Sequence, residues 1–341
     1  PALGAQSIDV SRGEGSVGGP LAAASGPGAE NEMVYAGTER FAARLRSHLT
    51  TTAPLVRAIA CSTYAITGGL GGLGLRAASL LVEGGASRVL VASRSGHVVR
   101  GGQGLEGRLR SLGMIAAIVP CDSAESHDAS ALLFAGSLVG LLHAAGAGDK
   151  GLLAWLDVHR LHWLFASKAR GAWHLHCGVA STLLEACVLF SSVGAGLGNV
   201  GQANYAAGNA SLDASAHSRR RLGMTACSLQ WPLVGGAGMG QAAFARSLVE
   251  RKASYAGLAG ISLEEYAACL QSQLSAGRGE AMAVQVAHRS AREVLQDLAD
   301  CSQPRFVELM APTTAPGPAG ASPAASVPAA AASSLGQSLA L

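Results

Sequence analysis

From Thr63 onward the chain alternates short runs that are apolar at almost every position with longer stretches of helical period. Tyr64-Ala-Ile-Thr67 leads into a turn crowded with glycine, Leu75–Glu83 follows with helical spacing, and Arg88-Val-Leu-Val-Ala92 is apolar again. That order predicts strand, turn, helix, strand. Further strands are predicted at Ile115–Val119, Val139–His143, Cys187–Phe190 and Thr225–Leu229, with helices between them, notably over 161–176 and 203–220. Strands that are apolar throughout are covered on both faces, and parallel strands need crossover helices to join them. The pattern therefore predicts an α/β fold with an open, doubly wound parallel sheet. Beyond it, Ser262-Leu-Glu-Glu265 opens a helical stretch to Gly277 with a capping-box signature.

The ends read differently. Residues 1–32 are rich in Gly, Ala and Ser without hydrophobic period, and read as linker; 33–50 hold a short strand or helix. Residues 311–341 are almost entirely Pro, Ala, Ser and Gly, cannot bury enough surface to fold, and read as a disordered, semi-extended tether. The chain opens at Pro1 with no charged-then-apolar leader, so it reads as a piece of something longer, any targeting signal being absent. The stretch from Ala129 to Gly148 lacks Asp, Glu, Lys and Arg, yet Gly136, Ser137, Gly140 and His143 interrupt it. It reads as a helix end, a turn and a buried strand, not a membrane span.

Composition narrows the classes. Of 341 residues 49% are hydrophobic but only 4% aromatic, so the core is built from Ala, Leu, Val and Gly. The net charge is +3 and no Lys/Arg cluster is interleaved with aromatics, which argues against a nucleic-acid partner. The dense basic run His217-Ser-Arg-Arg-Arg221 reads as a solvated helix end. Seven cysteines, with no Cys-x-x-Cys pair, read as small buried residues of a reducing compartment, cytoplasm or organelle, not as a disulfide frame or zinc site.

The turn Thr67-Gly68-Gly69-Leu70-Gly71-Gly72-Leu73-Gly74 contains Gly69-x-Gly71-x-x-Gly74 after a predicted strand and at the opening of a predicted helix, the context a dinucleotide motif requires. Gly69 permits a tight turn, Gly71 lets backbone amides approach a pyrophosphate, and Gly74 lets helix and strand close up. The helix N-terminus adds unpaired N–H groups and partial positive charge. The next strand ends Val91-Ala-Ser93-Arg94, without the carboxylate that accepts from a ribose 2′-hydroxyl. Ser93 and Arg94 suit a 2′-phosphate and predict NADP(H). Asp122, after Cys121, is placed to accept from an adenine amino group, to cap a helix, or both. His143-Ala144-Ala145-Gly146 ends a later strand with small residues where a flat cofactor needs room, His143 lining the cleft.

A second constellation lies downstream. Ser192 ends a strand, Tyr205 follows thirteen residues later and Asn209 four after that, on the same helical face, while Lys168 sits on the preceding predicted helix. Reduction of a ketone needs a proton donor for its oxygen, and a free phenol, with a pKa of about 10, is sluggish. A nearby ammonium brings that value down, so Lys168 is expected to tune Tyr205 while binding the nicotinamide ribose. Ser192 can hold the carbonyl oxygen, and Asn209 can orient Lys168 or a water. His174-x-His176 does not make a metal pair, because i and i+2 do not share a helical face and no third ligand is in view; no metal is expected.

These stretches resemble the ketoreductase domain of type I polyketide synthases, in the short-chain dehydrogenase/reductase superfamily. The resemblance runs from about Tyr64 to about Arg289, carried by Thr67–Gly74, Val91–Gly96, Cys121-Asp122, His143–Gly146, Ser167-Lys168 with Gly171–Leu175, and Phe190–Gly194 through Gly201–Asn209. Most short-chain dehydrogenases carry the lysine four residues after the tyrosine; here Asn209 stands there and the lysine is Lys168, an exchange typical of polyketide and fatty-acid synthase ketoreductases. The resemblance implies a Rossmann-type sheet and Lys168, Ser192, Tyr205 and Asn209 as the catalytic set. It implies NADPH, held by the turn residues, Ser93, Arg94, Cys121, Asp122, His143–Gly146, Lys168 and Tyr205. The implied reaction is reduction of a β-ketoacyl thioester on the phosphopantetheine arm of an acyl carrier protein, in polyketide or fatty-acid biosynthesis. Neighbouring synthase domains follow as partners; nucleic acid and membrane do not. Asp149, Leu197, Gln202, Trp231 and Met239 fall on the substrate side. The domain plan is linker over 1–32, a remnant of the family's structural subdomain over 33–60, the NADP-binding ketoreductase domain over 61–300, and a Pro/Ala-rich linker over 311–341.

The chain also departs from that family. The segment Asp128–Leu138 is shorter than usual, predicting a truncated helix, and Trp231-Pro-Leu-Val234 keeps only the first tryptophan of Trp-Gly-x-Trp, although Gly238-Met239 follow as expected. Leu197 stands where one product class carries tryptophan, and Gly148-Asp149-Lys150 partly matches the Leu-Asp-Asp of the other, favouring a D-configured hydroxyl. Two other readings stay open: a catalytically degenerate domain that scaffolds its neighbours, and a stand-alone short-chain carbonyl reductase.

Overall fold

A computed structural model describes residues 7–10, 32–36, 39–42, 44–45, 59–99, 103–198, 201–236, 260–275, 284–287 and 302–310. Gly238, Met239 and the 311–341 stretch lie outside the described residues. The chain divides into two compact units, Pro1–Thr50 with Asp300–Leu341, and Thr51–Ala299. In the first, β1 (Ser7–Val10) runs parallel to β2 (Glu32–Ala36), which forms an antiparallel pair with β3 (Glu39–Ala42). β1 falls in the stretch read as linker: four residues are too few to set a period, and pairing with β2 supplies what the pattern does not.

The second unit runs β4 (Thr63–Thr67), α1 (Gly72–Glu83), β5 (Arg88–Ser93), α2 (Leu105–Ser111), β6 (Ala116–Pro120), α3 (Ser126–Phe134) and β7 (Leu138–His143). It continues with α4 (Val158–Phe165), a π-helical turn (Ala166–Arg170), α5 (Gly171–Gly178), β8 (Ala186–Ser192), α6 (Val193–Leu197) and α7 (Ala203–Arg221). β9 (Cys227–Trp231), α8 (Leu263–Ser275) and β10 (Val284–Val286) complete it. The seven strands lie in the order β10-β9-β8-β7-β4-β5-β6, every neighbouring pair parallel. This is the Rossmann-type doubly wound sheet the apolar runs predict.

Alternate residues of each inner strand feed opposite layers. Ile66, Val91, Leu142, Phe190 and Leu229 join α1 and α8 through Leu75, Leu81, Tyr266 and Leu270. Ala65, Leu90, Leu141 and Leu189 join α3, α5 and α7 through Leu132, Leu175 and Leu212. Each such Leu, Val, Ile or Phe contributes about 1.5–3 kcal/mol by leaving water. β6, at the sheet edge, is only partly covered, and Ile118 is exposed. The capping box forms as expected: the Ser262 amide donates to Glu265 Oε2 at 2.7 Å, and the Glu265 amide donates to Ser262 Oγ at 3.1 Å.

The differences are local. The strand expected at Thr225–Leu229 starts two residues later, at Cys227, and the helix expected over 161–176 runs from Val158 to Gly178 with the π turn inside it. α2 and the three-residue β10 have no counterpart among the expected elements. The basic run is not wholly solvated. Arg219 is buried, its Nη1 lies 2.9 Å from His176 Nδ1, and its Nε donates to the Thr225 carbonyl.

Candidate active site

The strand order reverses between β4 and β7, and in such sheets the crevice at the carboxyl ends of those two strands is the ligand site. Thr67 and His143 end the two strands in register, and the Ala144 amide donates to the Thr67 carbonyl at 3.0 Å. Gly68 has φ +66°, and a Cβ there would meet Ala145 N at 2.6 Å and Ala144 C at 2.7 Å. At Gly74 it would meet Gly68 O at 2.5 Å and Gly69 Cα at 2.7 Å; at Gly69, Val91 Cγ1 at 2.7 Å and Ile66 O at 2.8 Å. Main-chain atoms crowd all three positions, joined at Gly69 by the Val91 side chain, so a Cβ does not fit. α1 then begins at Gly71 with no side-chain cap and no acid in its first turn, leaving its first amides to an anion.

Around this cradle the expected cofactor residues fall into two groups. Ser93 Oγ is buried with no hydrogen-bond partner among the described residues, and Arg94 beside it is exposed. An orphaned hydroxyl and an exposed guanidinium at one strand end fit a phosphorylated dinucleotide. Ala144, Ala145 and Gly146 keep the β7 end low, and a Cβ on Gly146 would meet Lys168 Cε at 2.6 Å and Nζ at 2.9 Å. Three others turn inward. Thr67 Oγ1 is spent on His143 Nδ1 at 2.6 Å, and His143 is 0% exposed, so it supports the cleft from beneath and does not line it. Burial and the neighbouring Lys168 hold that imidazole neutral, down at about 3. Cys121 is buried, and its thiol is pushed up to about 11 by burial and by the Asp128 and Asp122 carboxylates. Asp122 does not cap α3, whose N-cap is Glu125; its Oδ1 accepts from the Ala124 amide at 3.0 Å and shapes the preceding turn.

One strand beyond β7, β8 delivers Ser192 and α7 delivers Tyr205 and Asn209. Ser192 and Asn209 lie near enough to the Tyr205 phenol to pull its pKa down, but burial outweighs them and leaves it above its ordinary value. Asn209 is fully buried; its Nδ2 donates to the Tyr205 carbonyl at 2.8 Å, and its Oδ1 has no hydrogen-bond partner among the described residues. Lys168 arrives from the π turn, which adds a residue to the helical repeat and aims the side chain inward between exposed Trp163 and Trp173. It is 4% exposed and its Nζ donates to the Phe190 carbonyl at 2.7 Å. Burial brings its pKa down to about 8, opposed by the Asp213 carboxylate. The expected lowering of the phenol by Lys168 is therefore not what this arrangement does: the ammonium is turned to the β8 backbone, and only Ser192 and Asn209 oppose burial at Tyr205.

The substrate-side positions are scattered. Asp149 is no open carboxylate. It takes Arg160 Nη2 at 2.6 Å and Nε at 3.1 Å, and accepts from Asn204 Nδ2 at 2.6 Å. Arg160 first, then Asn204, hold it below the usual carboxylate range. With the Gly151 amide donating to the Gly201 carbonyl at 2.8 Å, this ties the loop after β7 to the start of α7, next to Tyr205. Leu197 is half-buried at the end of α6 and Gln202 is the N-cap residue of α7. Trp231 is 4% exposed and packs on Tyr266, with ring centroids 4.6 Å apart, and on Phe190 at 5.7 Å, so it fills the core. His174 and His176 diverge, one to the Ser123 carbonyl and one to Arg219. Asn204, Arg160 and Asp213 were not singled out by the sequence reading. The acid at Asp213, eight residues after Tyr205 on the same face of α7, was the available signal.

A parallel sheet that cradles a dinucleotide at its switch point and gathers a phenol, an alcohol and an amine one strand away belongs to the Rossmann-type nicotinamide-dependent reductases. Residues 62–236 match the KR domain family, and the chain belongs to that family. It is 41% identical over 222 residues to the spectinabilin polyketide synthase system protein NorB of Streptomyces orinoci, covering 63% of this chain and 10% of that protein. It is 40% identical over 198 residues to a 6-methylsalicylic acid synthase of Aspergillus niger, covering 53% and 11%. The chain thus spans about a tenth of the length of either synthase. Among solved structures, an A1-type ketoreductase superposes with a TM-score of 0.70 at 29% identity, covering 85% of this chain and 62% of that one. The ketoreductase PlmKR1 of phoslactomycin biosynthesis in Streptomyces sp. HK803 gives 0.69 at 28%, covering 90% and 71%. Among the described residues no helix is long and apolar enough to cross a membrane.

Proposed function

We propose that the chain reduces a β-ketoacyl thioester, presented on the phosphopantetheine arm of an acyl carrier protein within a polyketide synthase, to the β-hydroxyacyl thioester with NADPH. The observation that carries this reading is the meeting of Ser192, Tyr205 and Asn209 beside a strand end that also holds Lys168, two strands from the glycine cradle. The Gly69–Gly74 turn and the α1 N-terminus hold the pyrophosphate, Ser93 and Arg94 the 2′-phosphate, Asp122 the adenine side, and Ala144–Gly146 leave room for flat rings. Bound there, the reduced nicotinamide supplies the hydride. The Ser192 hydroxyl holds the substrate carbonyl oxygen and the Tyr205 phenol gives it a proton. A phenol above its ordinary value stays protonated across neutral pH, as a donor in the reducing direction must. Lys168, held by the Phe190 carbonyl, binds the ribose hydroxyls. Asn209 Oδ1, the acceptor without a protein partner, orients Lys168 or a water that returns the proton. Neighbouring synthase domains are the partners, and the product carries the D-configured hydroxyl.

Tyr205→Phe tests the assignment. With a soluble β-ketoacyl thioester, NADPH consumption falls about 10²–10⁴-fold, while NADPH binding, followed by its fluorescence, is retained. Turnover retained in the variant removes Tyr205 from the chemistry. Intact NADPH binding with no consumption by the unaltered chain favours the scaffold reading.

A further inference from the structure

The reaction just described leaves one buried ionisable group unused. Asp213 is 7% exposed and lies on α7, one turn beyond Asn209 and two beyond Tyr205. Ser228 Oγ donates to its Oδ1 at 2.6 Å and Gln230 Nε2 donates to its Oδ2 at 2.8 Å, and Ser191 lies close by. Ser191 follows Phe190, whose carbonyl takes the Lys168 ammonium, and its own hydroxyl donates to the Asn209 carbonyl at 3.3 Å. Lys168 meanwhile runs along α7, its Cβ lying 3.7 Å from where a Cβ on Gly208 would stand. Burial raises the Asp213 carboxyl, and the Ser228 and Gln230 donors oppose that by favouring its ionised form.

We propose that Asp213 is a positioning residue for the reduction, the buried counter-charge that keeps Lys168 protonated at the end of β8. The proposal rests on the functional reading above. Among the described residues the Phe190 carbonyl is the acceptor of the ammonium, and low-dielectric surroundings favour its neutral form. The titratable groups that act on it or on which it acts are His143 on β7, which stays neutral, and Asp213 on α7. Around Asp213 itself, β9 brings Cys227, pushed up to about 12 and neutral, with Ser228 and Gln230, and β8 brings Ser191. Asp213 is thus the negative charge acting on Lys168, and it reaches the reacting atoms only through that lysine.

The chain has three lysines, Lys150, Lys168 and Lys252, so the ε-carbon signals of a lysine-labelled protein can be titrated singly by NMR and assigned with K150R and K252R. Asp213→Asn is nearly isosteric: its oxygen still accepts from Ser228, and Gln230 Oε1, buried without a partner, can take its amide after a flip. In D213N the Lys168 midpoint falls by about one pH unit or more, and the alkaline limb of kcat moves down with it; Asp213→Glu holds both near their original place. An unmoved midpoint in a D213N protein with an unchanged melting temperature overturns the proposal, since a merely structural role would not track the charge. Should D213N not fold, Asp213→Ser, which removes the charge and keeps a hydroxyl for Ser228 and Gln230, lowers the midpoint in the same direction; an unmoved midpoint there overturns the proposal equally. The titration needs no turnover, so a chain that never consumes NADPH refutes the functional reading without being confused with this outcome.

Discussion

The cofactor end of the sheet, at β4 and β5, and the catalytic end, at β8 and α7, are made of different material. At the first, the surface is main chain: Gly68, Gly69 and Gly74 let the chain pass where a Cβ would collide, and α1 opens with no side-chain cap. At the second, the fold buries Lys168, Ser191, Asn209, Asp213, Ser228 and Gln230. An unpartnered polar group in such a place costs about 1–3 kcal/mol; Ser228 and Gln230 bond Asp213, while Lys168, Ser191 and Asn209 donate to main-chain carbonyls. The cradle therefore tolerates no added atom, whereas the catalytic end tolerates atoms but not a lost charge or donor. Gly68→Ala is the severest test of that contrast. The left-handed conformation costs a side chain about 1–2 kcal/mol, and crowding against Ala144 and Ala145 adds about 1–3 kcal/mol. Denaturant unfolding should show a loss of about 2–5 kcal/mol on those two grounds, together with lost NADPH binding. A silent substitution would mean that the main chain is not what shapes this end.

His143 joins the two ends, and its protonation gives the next largest effect. The unfolded chain takes up a proton at this residue near pH 6.5, the folded chain not until about 3. Between those values the unfolded state holds more protons, so stability falls as pH falls through the window and is full above it. From about pH 7 to about pH 5 the loss from this residue is about 2 kcal/mol. His143→Gln should flatten that part of the stability–pH curve, whatever its effect at neutral pH. An unchanged slope would place the acid sensitivity elsewhere.

The same contrast explains what could be read from the chain alone. The glycine turn was legible because its meaning is local: spacing, a strand before and a helix after. Ser192, Tyr205 and Asn209 were legible because a strand end and a helical repeat set their spacing. Thr67 was read as a cofactor contact because it opens the turn, but its hydroxyl is claimed by His143, seventy-six residues away. Asp149 was read as a substrate residue, and Arg160 and Asn204 claim it. The partners of Asp213 lie fifteen and seventeen residues on, in another strand. Nor does a helical pattern reveal the π turn, since Lys168 satisfies the hydrophobic repeat no better in one geometry than in the other. Buried polar groups are settled by tertiary partners, and one chain's period does not record them.

Arg94 sharpens the cofactor side of the comparison, because it is a side chain asked to act where the main chain does most of the work. A charge-assisted contact to a phosphate is worth about 1.5–3 kcal/mol. Arg94→Ala should therefore weaken NADPH binding by about tenfold or more and leave NADH binding unchanged. Equal losses for both would show that Arg94 serves the fold and not the 2′-phosphate.

Tyr266 gives the finest test, because its side chain reaches from α8 to the main chain of the cofactor turn. Its hydroxyl donates to the Leu73 carbonyl at 2.9 Å, while its ring, fully buried, stacks between Trp231 and Phe190. Tyr266→Phe keeps the ring and removes only the hydroxyl. Leu73 lies in the first turn of α1, where its carbonyl also serves the helix, so no acceptor is stranded. The expected loss of stability is about 1 kcal/mol, read by denaturant midpoint at constant slope. NADPH affinity should hardly move, because the amides that bind it are fixed by Gly68, Gly69 and Gly74. If affinity falls as steeply as it does in Gly68→Ala, the turn is positioned from α8 and not by its own glycines, and the division between a main-chain end and a side-chain end does not hold.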